Sequence, residues 1–369
     1  MSDAALQGRN QSLTTDSEQT VQNRTDGTVR AQSTQPALAV QEPPTLIDVL
    51  DARRRIQPYL HPTPLYEYPG LSSLLRAKVW VKHENHQPIG AFKVRGGINL
   101  VSQLSPEERA AGVISASTGN HGQSVAYAAR LFGVAATICL PENANPVKVE
   151  AMRAMGAQLL FHGRDFDEAR EYCEQLARER GLRYIHSGNE PLLIAGVATA
   201  MLEILESNPD IEVLIVPVGG GSGAAGACIV AKALKPGGIR VIGVQSEAAP
   251  AGYLSWKQHK LTTAEMKTIA EGLATRTSFE LPQRMMWKML DDFLTVSDDE
   301  ILRATYLMIQ KTKNLVEPAG AASLAGALRL RAELEGKEVA LMCSGGNISP
   351  AQLAEVLNRF GEPDGLGKK

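Results

Sequence analysis

The stretch Val213-Leu-Ile-Val-Pro-Val218-Gly219-Gly-Gly-Ser222-Gly-Ala-Ala-Gly226 passes directly from apolar residues into glycines and then into small helix formers. A continuous apolar run of this length is a strand buried on both faces, and residues 224–234 read as the helix that follows it. Strand, glycine turn and helix together form one unit of a parallel sheet. Successive N–H groups on a chain without side chains also make a nest for an anion such as phosphate. The same residues place Gly221, Gly223 and Gly226 at dinucleotide-fingerprint spacing, with Glu247 about twenty residues on. Both readings stand on this stretch alone.

The alternation continues on either side. Strands are predicted over residues 79–82, 112–116, 135–140, 158–161, 183–186, 240–245 and 338–343. Helices are predicted over 45–56, 123–132, 146–155, 165–179, 191–206 and 298–313, the last capped by Ser297. Apolar strands alternating with helices imply a doubly wound α/β protein with parallel sheets covered on both faces.

A chain of 369 residues that is 44% hydrophobic and 21% charged forms one large or two medium domains. Its net charge of -2 gives no electrostatic case for nucleic acid or an anionic membrane. No apolar stretch is long enough to span a bilayer. Cys139, Cys173, Cys228 and Cys343 lack metal-ligand spacing, so buried free thiols in a reducing cytoplasm are expected. Residues 1–43 are polar and aperiodic, which predicts a disordered tail with neither signal-peptide nor transit-peptide layout.

Three further segments carry chemistry. In Gln87-Pro-Ile-Gly-Ala-Phe-Lys-Val-Arg-Gly-Gly97, Lys93 stands where burial and a neighbouring cation such as Arg95 would lower its pKa and free the amine for attack on a carbonyl. A solvated lysine in the first turn of a helix is the alternative. Ser117-Thr-Gly-Asn-His-Gly-Gln123 sets hydroxyl, amide and imidazole groups at a helix N-terminus, suited to a carboxylate or phenolate, or to capping alone. In Cys343-Ser-Gly-Gly-Asn347, Ser344 either meets a ring nitrogen or caps the helix after Pro350.

Together these four motifs resemble the fold type II (tryptophan synthase β-like) pyridoxal-phosphate enzymes, in the threonine/serine dehydratase and serine racemase branch. The resemblance runs from about Ile47 to Phe360, with the motifs in family order. It implies that Lys93 forms a Schiff base with pyridoxal 5'-phosphate and then removes the substrate α-proton. It puts Phe92 on one face of the cofactor ring, Asn120 at the phenolic oxygen, and Gly219, Gly220, Gly221, Ser222 and Gly223 around the phosphate. Ser344 would meet the ring nitrogen, with Gly272 beside the ring and Glu317 near its nitrogen edge. Ser117, Thr118, Gly119, Asn120 and His121 would hold the amino-acid substrate. A neutral hydroxyl at the ring nitrogen favours prompt loss of a β-substituent, so the expected reaction is elimination from L-threonine or L-serine to a 2-oxo acid and ammonia.

The resemblance also implies two domains. Residues 44–89 and 189–360 would form the larger, cofactor-binding one, and residues 90–188 the smaller, with a flexible tail from 361. A cytoplasmic homo-oligomer, dimer or tetramer, is the family-level expectation. Several positions depart from the pattern. Thr118 stands where racemases have an opposite-face serine base, and its hydroxyl would serve that role with restricted rotamers. Gln245 and Ala251 replace acidic residues of the divalent-metal site, leaving Glu247, so no metal is expected. Gly188 replaces a common asparagine and would leave room near the substrate. That room keeps a bulkier β-hydroxy amino acid, such as 3-phenylserine or a hydroxyectoine-derived intermediate, open beside serine racemisation. The short chain after Phe360 carries no amino-acid-binding regulatory domain, so isoleucine feedback is not expected. A nicotinamide-dependent oxidoreductase built on Gly221–Gly226 is the rival of a different class.

Overall fold

The computed structural model describes residues 41–361. The expected disordered tail lies outside the described residues as far as position 40, and so do positions 362–369. The described strands are β1 (Leu65–Glu67), β2 (Lys78–His83), β3 (Val113–Ala116), β4 (Ala136–Leu140), β5 (Gln158–Phe161), β6 (Arg183–Tyr184), β7 (Val213–Pro217), β8 (Arg240–Ser246), β9 (Asp292–Val296) and β10 (Glu338–Cys343). They form one sheet in the order β1-β2-β10-β7-β8-β9 and a second in the order β5-β4-β3-β6. Every pairing is parallel except β1 with β2, at the edge of the larger sheet.

The side-chain period of two explains why the central strands are apolar throughout. Leu214 and Val216 of β7 enter one core with Ala198, Ile204 and Cys228. Val213 and Ile215 enter the opposite core with Val79, Val244 and Ala322. A strand that feeds two cores has no polar face to show. The smaller sheet does the same, with Ile138 and Leu140 on one side and Cys139 on the other.

Helix ends follow the local chemistry. Ser297 caps Asp298–Thr312 in a capping box, and Asp165 accepts N–H bonds at the start of Phe166–Arg180. Two helices begin earlier than the sequence suggests, at Asn120 and at Ser222. Each is preceded by a glycine, and Gly221 has φ 90°, a left-handed turn that brings the chain straight into the helix. Strand β6 is shorter than predicted, because the N–H groups of Gly188 and Asn189 both turn onto His186 Nδ1 at 3.0 Å. All four cysteines are buried and unpaired. Among the described residues, no helix is long and apolar enough to cross a membrane.

Candidate active site

Strands β2, β10 and β7 are neighbours in the larger sheet, and a chemistry-bearing loop leaves the carboxyl end of each. The loop after β2 carries Lys93, that after β10 carries Ser344, and that after β7 carries Gly219 to Ser222. The loop after β3 of the smaller sheet brings Ser117 to His121 across from them. All of these residues, with Phe92, Gly223, Gly272 and Glu317, line one cavity. Ligands of open α/β sheets collect at such carboxyl ends. Backbone bonds tie the Lys93 and Ser344 loops together: Phe92 N–H donates to Ser344 O at 3.0 Å and Gly346 N–H to Gly90 O at 2.8 Å.

Lys93 opens the helix Lys93–Val101. Its Nζ donates to Ser222 Oγ at 2.8 Å and stands 5.1 Å from the centre of the Phe92 ring. Burial without a carboxylate partner lowers its pKa to about 8. Arg95 does not contribute as expected. Its guanidinium is buried between Glu84 (2.7 Å) and Glu203 (2.6 Å), where its charge is cancelled, and the lowering of Lys93 comes from desolvation alone.

The glycine loop is shaped by close approach. A side chain on Gly219 would collide with the carbonyl of Gly272, and one on Gly220 with the ring of Phe279. The bare backbone therefore reaches the cavity at the start of the helix Ser222–Leu234, where N–H groups are free for an anion. Ser344 uses its carbonyl to hold Phe92, and its hydroxyl makes no bond to another described residue. It is not a helix cap. Ser349 has that role, with its side chain accepting from Gln352 N–H.

At the facing loop, Ser117 Oγ accepts from the N–H groups of Gly119 (3.2 Å) and Gly122 (2.8 Å). The loop is thus held open while Asn120 and His121 occupy the first turn of Asn120–Leu131. Asn120 Nδ2 donates to Glu317 at 2.6 Å, and its Oδ1 accepts from Asn347 at 2.8 Å. One amide hydrogen of Asn120 remains for a ligand. Burial raises the pKa of Glu317. His121 turns inward to Ser115 Oγ at 2.9 Å, and burial holds it neutral with a pKa of about 3. Its Nδ1 is buried without a partner.

Sequence reasoning missed Lys148, Glu271, Phe166, Ser187 and Phe279, which also line the cavity. They come from separate elements and share no local motif. The expected room at Gly188 is filled, because Phe279 lies where its side chain would be and stacks edge-on with His186 at 4.7 Å. Among the described residues, no group of His, Cys, Asp and Glu is placed to hold a metal ion.

The arrangement fits pyridoxal phosphate on three counts. It has a half-buried amine with a lowered pKa, a glycine cradle at a helix start, and a free hydroxyl lining the same cavity. The chain belongs to the pyridoxal-phosphate dependent enzymes, whose family model matches residues 56–345. It is 37% identical to an L-threonine ammonia-lyase of Thermotoga maritima, over 85% of this chain and 78% of that protein. It is 38% identical to an L-threo-3-hydroxyaspartate ammonia-lyase of Saccharomyces cerevisiae, over 87% of this chain and 98% of that one. Its fold matches the crystal structure of serine racemase from Dictyostelium discoideum with a TM-score of 0.78 and 33% identity, covering 83% of this chain and 99% of the other. The fold is therefore fold type II and the protein is an enzyme that uses pyridoxal phosphate. The dinucleotide reading of Gly221–Gly226 is set aside.

Proposed function

We propose that this enzyme is an ammonia-lyase that dehydrates L-threonine and L-serine, releasing the 2-oxo acid and ammonia. The observation that carries the reading is Lys93, an amine buried on the phosphate-loop serine with no carboxylate beside it. Bound at this site, pyridoxal phosphate supplies the electron sink for bond cleavage at the substrate α-carbon. With its pKa brought down to about 8, Lys93 Nζ keeps a neutral fraction at physiological pH that can accept the α-proton. The Gly219–Gly223 backbone and Ser222 Oγ would hold the cofactor's phosphate, Phe92 would pack on its ring, and Asn120 would have one amide hydrogen left to donate to it. Gly272 and Glu317 would lie along the ring's edges. Ser344 would offer the ring nitrogen a neutral hydroxyl in place of a carboxylate, and a nitrogen not held protonated would favour prompt departure of the β-hydroxyl. The enamine so released hydrolyses to the 2-oxo acid.

The cavity also supports a small side chain. Phe279 takes the space beside Gly188, so the missing side chain there gives an aryl group such as that of 3-phenylserine no added room. Thr118 faces the cavity as the candidate opposite-face hydroxyl, and racemisation is a minor reaction in this reading. We take residues 90–188, built around the four-stranded sheet, as the smaller of two domains that enclose the cofactor. We also take the enzyme to be a cytoplasmic homo-oligomer, in keeping with four unpaired buried cysteines.

The test is 2-oxo acid release by the cofactor-loaded protein on L-threonine, L-serine, L-3-phenylserine and L-threo-3-hydroxyaspartate in parallel. Release from threonine or serine with the highest kcat/KM is expected. Preference for hydroxyaspartate or phenylserine would move the substrate, and no release from any of the four would sink the elimination itself.

A further inference from the structure

The α-carboxylate of an amino acid entering this cavity needs a counter-charge, because a carboxylate withdrawn from water is costly when unpaired. The cationic side chains lining the cavity are Lys93 and Lys148. Lys93 is committed to the cofactor and the α-proton. His121 is held neutral by burial. Lys148 belongs to the helix Pro146–Ala154 and is itself buried, at 5% exposure. Its Nζ lies 3.5 Å from the point a Cβ on Gly119 would occupy, which places the ammonium directly against the Ser117–His121 loop.

In this structure the Lys148 ammonium is paired with Glu271. Glu271 comes from the short turn Glu271–Leu273 beside the larger sheet, and its side chain is 35% exposed against 6% for Lys148. Asn145 Nδ2 steadies the same carboxylate at 3.3 Å. The pair stands between the cavity and an outer groove, since Glu271, Thr118, Phe166 and Ala274 line both. A carboxylate thus already sits on the buried cation, where the cavity meets the groove.

We propose that Lys148 is a ligand of the substrate α-carboxylate, and that Glu271 holds its place until the substrate arrives. Binding is an exchange of one carboxylate for another on a single ammonium. Glu271, the more exposed partner, is released toward the groove, where water solvates it. This assignment rests on the reading that the substrate is an α-amino acid. It separates the roles of the two partners: Lys148 contributes to affinity, and Glu271 competes with it. A pair that served only to strut the two sheets together would show no such opposition.

The probe is L-alanine, which has a carboxylate and an α-amino group but no β-leaving group. It is titrated into the holoenzyme while the cofactor absorbance is followed, with kcat and KM on L-threonine measured alongside. Lys148→Met is expected to weaken L-alanine binding by about 10- to 100-fold, the loss of one charge-assisted hydrogen bond, and to raise KM for threonine more than it lowers kcat. Lys148→Arg should restore part of the affinity. Glu271→Gln is expected to tighten L-alanine binding by about threefold, as removal of a weak competing pair. Weakening by both Lys148→Met and Glu271→Gln would reduce the pair to a strut and overturn the proposal, as would unchanged affinity in Lys148→Met. Should Lys148→Met lose the cofactor band or the fold, Glu271→Gln decides alone: tightening supports the exchange and weakening overturns it. Lys148-dependent alanine binding in an enzyme that releases no oxo acid would sink the elimination reading and leave this assignment standing. Oxo acid release with Lys148-independent binding would do the reverse.

Discussion

Lys93 and Arg95 are two residues apart at the start of one helix, the first half-buried and the second fully buried, yet the fold treats these two cations in opposite ways. Arg95 meets two carboxylates: its Nε and Nη2 reach Glu84 at 2.7 and 2.8 Å, and Nη1 reaches Glu203 at 2.6 Å. Lys82 joins the same cluster through Glu203 at 2.5 Å and Thr63 O at 2.7 Å. Two cations and two anions thus cancel out of water, and the arginine stays charged. Lys93 meets a serine hydroxyl and an aromatic ring, and burial alone brings its pKa down to about 8. A buried cation becomes structural when carboxylates are supplied and reactive when they are withheld.

The largest effect should come from removing the reactive member. Lys93→Ala is expected to lower the rate of oxo acid release by at least about 10³-fold. It should also abolish the characteristic cofactor absorbance while far-UV circular dichroism is retained; full activity in that variant would break the contrast at its root. Next is the structural cluster. Glu203→Gln leaves one of the two buried cations, Lys82 or Arg95, without its charge partner and should destabilise the fold by about 3–5 kcal/mol in denaturant unfolding. A change below 1 kcal/mol would mean that the cluster does not hold its charges by mutual pairing.

A subtler effect is a gain. In the cofactor-free protein, Lys93→Met should be more stable than the parent near pH 7, by up to about 3 kcal/mol. The sign follows from linkage. The folded-state pKa of about 8 lies below the ordinary 10.5, so the unfolded chain holds the proton more tightly and folding carries a penalty that is complete below pH 8. The advantage of Lys93→Met should therefore shrink between pH 8 and pH 10.5, and melting curves of the two apo proteins across that range would show it. The smallest effect is at Thr199, whose Oγ1 accepts from Arg95 Nη1 at 3.1 Å. Thr199→Val should cost about 1–2 kcal/mol with kcat/KM unchanged within twofold, because its hydroxyl bonds only the paired cation and Gly196 O of its own helix.

Much of the site was readable in the chain because each motif is local. The Gly219–Gly223 turn follows its strand directly, Ser344 stands just after an apolar strand, and Lys93 and Asn120 each open the helix that follows one. What was misread is what depends on partners distant in sequence. Arg95 looks like a neighbour of Lys93 along the chain, but its carboxylates come from Glu84 and Glu203 on other elements. Gly188 looks like vacant space until Phe279 is brought onto it. Lys148 and Glu271 each look like ordinary surface charges, and only packing between the two sheets puts one on the other.

By itself, then, the sequence determined the alternation of strands and helices, the order of the four loops and the amine available for imine chemistry. These follow from side-chain periodicity and from backbone preferences that act over a few residues. The tertiary structure decided which cations are neutralised, which cavity space is filled and which carboxylate sits on Lys148. Burial and charge pairing act through space, and the groups that settle them lie up to 123 residues apart in the chain.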